Sequence, residues 1–132
     1  VTPVASAEEL YKTCQFVSLH IPATAETKQS INYSLLSLMP KGALLINTAR
    51  KEVIYEEDLA RILEDRTDFH YVADVAPTIA DTLKEKFGNR IFFTPKKMGA
   101  QTSEANINAG IAAARQSVGY LKDSIDKFRV NK

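Results

Sequence analysis

Four short apolar runs, at residues 16–21, 43–47, 69–75 and 90–94, recur along the chain with a helical pattern in the intervals, and this alternation constrains the fold more than any other feature. Strand, helix, strand, helix at such spacing predicts an α/β fold of parallel βαβ units with right-handed crossovers. The run 16–21 is stopped by Pro22 and is too continuous for a half-exposed strand, so burial on both faces is expected, and 43–47 reads as a second buried strand. Ser6 followed three residues later by Glu9 is a capping box and predicts a helix over 7–13. Leu35, Leu36, Leu38 and Met39 mark a short helix over 33–39 that Pro40-Lys41-Gly42 ends. Leu59, Ile62 and Leu63 share one face of a helix over 56–65, whose early acids suit the positive end of its dipole, and 83–87 is a weaker helix. Finally Ile107, Ile111, Ala114, Val118, Leu121 and Ile125 recur at steps of 4, 3, 4, 3 and 4. They predict a C-terminal helix of about twenty residues whose stripe must bury against something.

Composition narrows the function classes. Seventeen Lys and Arg stand against 16 Asp and Glu, a formal charge of +1, which argues against a phosphate-backbone binder and leaves nucleic acid out of the expected partners. Hydrophobic residues at 45% and charged residues at 25% suit a folded globular domain. The apolar runs fall far short of the ~20 residues a membrane helix needs, so no membrane association is expected. A single cysteine, Cys14, allows no internal disulfide and no cysteine-based metal cage, which suits a cytoplasmic protein with no structural metal. The first residue is Val1, with no leader-like segment, so the chain is expected to be a piece of something longer.

In open α/β sheets the ligand binds beyond the carboxyl ends of the strands, which here means the loops 22–30, 48–55, 76–81 and 95–102. His20, Arg50, Asp74, Lys96 and Lys97 fall on or near that rim. A guanidinium there can clamp a carboxylate or phosphate with a planar fork of donors, although an arginine at a strand end is more often simply solvated or salt-bridged. Asp74 has about even odds of capping local backbone, and His70 reads as an ordinary strand residue. Five glycines occur, at 42, 88, 99, 110 and 119, and none are spaced as a dinucleotide or mononucleotide phosphate loop requires. A phosphoacceptor signalling domain would also carry an Asp and a Lys at strand ends. It needs an acidic pair after the first strand, where this chain has Leu19-His20-Ile21-Pro22, so it is a minor alternative.

The ordered series Val17-Ser18-Leu19-His20-Ile21-Pro22, Met39-Pro40-Lys41-Gly42-Ala43, Leu45-Ile46-Asn47-Thr48-Ala49-Arg50, Ala73-Asp74-Val75 and Thr94-Pro95 resembles the D-2-hydroxyacid dehydrogenases over nearly the whole chain. The likeness is strongest to a short branch without a regulatory domain. It implies the parallel-sheet half of a Rossmann-type NAD-binding domain over 1–102, with 103–132 as a helix and tail returning to a substrate domain absent from this chain. That division would account for the missing glycine loop and give the apolar stripe a partner. The resemblance also implies NAD as cofactor, a phosphorylated 2-hydroxy or 2-keto acid as substrate, 3-phosphoglycerate above others, and a homodimer when intact.

By the same likeness Arg50 binds the substrate carboxylate and carbonyl oxygen, Asp74 accepts from the nicotinamide carboxamide, and His20, Ile21, Pro22, Thr48, Ala49, Arg50 and Gly99 line the cofactor groove. Two positions depart from the family pattern. Ile79 stands where a Glu is usual, and the general-base His gives way to Thr94-Pro95-Lys96-Lys97-Met98-Gly99. Anchoring on Gly99 puts Lys97 in the His slot and anchoring on Pro95 puts Lys96 there; Lys97 is preferred as the catalytic acid/base because the following glycine sets the turn. Loss of both His and Glu would also fit a non-catalytic NAD-sensing module of the same fold.

Overall fold

The computed structural model describes residues 2–95 and 102–129. The chain divides into two compact units, Val1–Lys97 and Met98–Lys132.

In the first unit, β1 (Phe16–Leu19), β2 (Leu44–Asn47), β3 (His70–Ala73) and β4 (Ile91–Phe93) form one sheet in the order β1-β2-β3-β4. Every neighbouring pair is parallel, as the alternation predicts. The connections carry α2 (Tyr33–Ser37), α3 (Glu56–Asp65) and α4 (Ala80–Phe87), and α1 (Ala7–Thr13) precedes β1. Ser6 caps α1 by accepting from the Glu9 amide at 3.2 Å, and Asn32 caps α2 by accepting from the Leu35 amide at 3.2 Å. A single turn of 3-10 helix, Lys51–Val53, lies within the expected loop after β2.

One expectation is corrected. The strand at 16–21 is not buried on both faces: Val17 and Leu19 are buried, whereas Phe16 is 65% exposed and Ser18 is exposed. The sequential strand order supplies the reason, because right-handed crossovers that all step in the same direction place their helices on one face of the sheet. The helix-covered face holds Val17, Leu19, Leu45, Tyr71 and Ala73, packed in one core with Leu36, Leu59, Ile62, Leu63 and Leu83. The opposite face presents Phe16, Ser18, His70 and Phe92, all exposed, with Leu44, Ile46 and Val72 half-buried.

At the amino edge of the sheet, Arg66 gathers the chain. Its guanidinium donates to the carbonyls of Met39 (2.7 Å) and Pro40 (2.8 Å) and pairs with Asp68 at 2.6 Å, while Asp68 accepts from the Gly42 amide at 2.7 Å. Gly42 has φ +75°, a left-handed conformation that glycine adopts without a Cβ penalty. This cluster fixes the turn from α2 into β2 and so sets the register of the strand that ends at Asn47.

The second unit is α5 (Ser103–Asp123), capped by Thr102, which accepts from the Ala105 amide at 3.1 Å. Ser124 closes it in a left-handed conformation, and the Ile125 amide donates back to Gly119. The helix has the expected length and carries Ile107, Ile111, Val118 and Leu121, all exposed, but the stripe stops short of its expected end: Ile125 lies beyond the left-handed Ser124 and turns back toward Gly119.

Candidate functional site at the carboxyl edge of the sheet

The ladder register fixes the geometry of the rim. Leu19, Asn47, Ala73 and Phe93 stand opposite one another as the last residues of their strands. His20, Thr48, Asp74 and Thr94 each follow by one residue, so the fold brings them to the same edge, roughly one strand spacing of ~4.8 Å from one to the next. Two cross-links show how tightly the edge is drawn together. Thr48 Oγ1 donates to the Leu19 carbonyl at 3.4 Å, and Thr94 Oγ1 donates to the Asp74 carbonyl at 3.3 Å.

Between β1 and β2 the edge opens into a groove of about 510 Å³, lined by His20, Ile21, Pro22 and Ala23 on one side and by Thr48, Ala49 and Arg50 on the other. The fold thus brings together the residues that follow β1 and those that follow β2. His20 Nε2 lies 2.9 Å from Ser18 Oγ, which orients the ring along the strand. Arg50 is exposed, with one Nη1 hydrogen bond to its neighbour's carbonyl at Ala49 (3.0 Å), so most of its fork of donors faces outward.

Asp74 lies beside this groove, at the end of β3. Its amide donates to the Asn47 carbonyl at 3.2 Å, yet its Oδ1 is buried without a hydrogen-bond partner. A buried carboxylate oxygen with no donor is costly in a folded protein, and the Tyr11 hydroxyl is the other buried side-chain atom without a partner among the described residues.

Asn47 was passed over by the sequence reading. It is the one buried polar or charged residue of the described chain, 1% exposed. Its Nδ2 donates to the Arg50 carbonyl at 3.0 Å and approaches Tyr71 Oη at 3.5 Å, and its Oδ1 accepts from the Ala49 amide at 3.0 Å. The available signal was a polar side chain at a position whose alternation points into the core. The hydroxyl of Tyr71, desolvated in the same place, is pushed up to about 12.

Ile79 is half-buried and packs against the core at the start of α4. The loop before it is tied down by Glu56, which accepts from the Thr78 amide at 2.7 Å, and by Lys51 Nζ, 3.3 Å from Thr78 Oγ1. Lys96, Lys97 and Gly99 lie outside the described residues. Among the described residues no group of three or more His, Cys, Asp or Glu is placed to hold a metal, and no helix is long and apolar enough to cross a membrane.

Comparison with known proteins places this edge in context. A curated relative, the D-3-phosphoglycerate dehydrogenase of Haemophilus influenzae, is 34% identical over 97% of this chain, which spans 32% of that protein. The chloroplastic D-3-phosphoglycerate dehydrogenase 2 of Arabidopsis thaliana is 35% identical over 97% of this chain and 21% of its own length. The crystal structure of NAD+-bound 3-phosphoglycerate dehydrogenase from Entamoeba histolytica superposes with a TM-score of 0.83 at 47% identity, covering all of this chain and 44% of that one. The chain thus spans a third or less of these curated relatives, and its parallel sheet is of the Rossmann type found in that structure. Residues 1–95 match the profile of the D-isomer specific 2-hydroxyacid dehydrogenase NAD-binding domain, and the chain belongs to that family.

Proposed function

We propose that this chain is the cofactor-domain portion of an NAD-dependent dehydrogenase that oxidises a phosphorylated D-2-hydroxy acid, 3-phosphoglycerate to 3-phosphohydroxypyruvate, with Arg50 and Lys97 as its catalytic residues. The observation that carries the reading is the orphaned Asp74 Oδ1 at the same strand edge as the Arg50 groove. A nicotinamide carboxamide supplies the missing donor, so the residues present fit that cofactor. NAD, when bound, accepts a hydride from the substrate carbon. His20, Ile21, Pro22, Thr48 and Ala49 form the walls against which it lies, and Gly99 is assigned to the same groove by family likeness. Arg50 clamps the substrate carboxylate and carbonyl oxygen through its outward-facing fork. Lys97 accepts the hydroxyl proton during oxidation and returns it during reduction. By family likeness a Glu is usual at the position of Ile79, and its absence removes a charge that would favour a protonated base. The names of the relatives supply the choice of 3-phosphoglycerate among 2-hydroxy acids.

The two departures at 79 and 97 favour one competing reading, a module of the same fold that binds NAD without turning over. Steady-state NADH formation by the intact protein separates them. Turnover with 3-phosphoglycerate is expected at alkaline pH, and NAD binding with no turnover on any 2-hydroxy acid would establish the sensor.

A further inference from the structure

Asn47 is hydrogen-bonded to the main chain of both Arg50 and Asp74 and lines neither the groove nor the rim. We infer that Asn47 is a positioning residue whose side chain holds the Arg50 turn in working register. The inference rests on the dehydrogenase reading above.

The geometry has three parts. Asn47 ends β2 with its side chain fully buried, so water cannot substitute for any partner it lacks. Its carboxamide spans the turn that follows: Oδ1 receives the Ala49 N–H and Nδ2 donates to the Arg50 carbonyl, both at 3.0 Å. Its own backbone carbonyl, on the other side, receives the Asp74 N–H at 3.2 Å. The side chain therefore fixes the backbone from which the Arg50 side chain departs, while the bond to Asp74 is a main-chain contact of the β2–β3 ladder that substitution at 47 leaves in place.

Chemistry explains why asparagine is needed. The turn presents an N–H and a C=O to the same buried side chain, and a carboxamide is the short group that offers one acceptor and one donor on a rigid plane. Aspartate keeps the acceptor but turns a lone pair toward the Arg50 carbonyl. Serine keeps an acceptor and cannot span both contacts. Either change frees the turn and lets the guanidinium sample positions away from the substrate, and displacement of about 1 Å in a reacting array can cost ~100-fold in rate.

The test uses the intact protein with Asn47→Asp and Asn47→Ser, each also combined with Arg50→Ala. The expected result is a 10- to 100-fold loss in kcat/KM for the hydroxy acid, with the KM for NAD changed less than threefold. The further loss in the Arg50→Ala background should be less than threefold, since residues acting as a unit are not additive. A purely structural role would lower activity by the same factor in both backgrounds, and that result overturns the inference. So does a folded Asn47→Ser with wild-type kcat/KM beside a damaged Arg50→Ala, which would leave the clamp standing and remove only the brace. An Arg50→Ala variant with wild-type kinetics would instead overturn the clamp itself, and the positioning role with it.

Discussion

Arg50 is the residue on which the proposed chemistry depends, and its geometry separates a clamp from a surface charge. It is exposed, donates once to Ala49, and stands in the wall of the groove. Replacement by lysine keeps the charge and discards the planar fork, so Arg50→Lys in the intact protein is expected to lose about 100-fold or more in kcat/KM for the hydroxy acid. Kinetics near wild type would mean a solvated arginine. The proton carries a second prediction at this scale. A lysine in water titrates near 10.4, so a lysine base works best at alkaline pH unless its surroundings favour the neutral form. Lys97→Met should abolish the alkaline ionisation in the kcat profile, and Lys96→Met should mainly change KM. An unchanged profile in the Lys97 variant, with weaker substrate binding alone, would assign that lysine to the substrate phosphate instead. Motif likeness marked Arg50 and Asp74 because their side chains differ in type from the apolar runs they follow. Asn47 was harder to read: its role depends on two backbone partners and a tyrosine from β3, and no spacing along the chain reveals that meeting.

Among the elements, the strands and helices were largely legible, and their faces were not. Apolar runs, amphipathic periods and the Ser6 capping box placed the four strands and five helices of the described residues, because these are signals carried by neighbouring positions in the chain. Whether a strand is covered on one side or two depends on the order of the strands in the sheet, which is a property of the connections. Phe16 belongs to a run read as buried on both faces, and it is exposed, as is Phe92, on the side opposite the helices. The turn into β2 gives a prediction that needs no ligand. Arg66 beside Asp68, and then the Gly42 N–H, hold the Asp68 carboxyl well below the usual carboxylate range. A carboxyl depressed in the folded state contributes stability above its unfolded value near 3.9, and that contribution is lost as the pH falls below it. Asp68→Asn is therefore expected to cost about 1–2 kcal/mol at neutral pH and to flatten the acid limb of the stability curve. Thermal melts between pH 7 and pH 2 check this. A variant curve that runs parallel to wild type through pH 5 to 2 would show that the pair adds nothing.

For the molecule as a whole, residues 1–95 match the NAD-binding domain of the family, and the chain spans a third or less of its curated relatives. Its five glycines are not spaced in the sequence as a phosphate loop requires, and one face of its β-sheet exposes Phe16 and Phe92. The isolated 132-residue chain is accordingly expected to bind NAD weakly, and micromolar affinity by calorimetry would contradict this. The resemblance read from five ordered motifs placed the chain in its family. The roles of individual residues lie beyond what likeness carries, since they depend on where donors and acceptors meet. The most direct measurement of the proposed reaction is the fate of the hydrogen on the substrate carbon. The intact protein would be incubated with NAD+ and D-3-phosphoglycerate deuterated at C2, and the reduced cofactor analysed by mass spectrometry. NADH carrying a single deuterium is the expected result; no NADH, or NADH without deuterium, would contradict hydride transfer at this site.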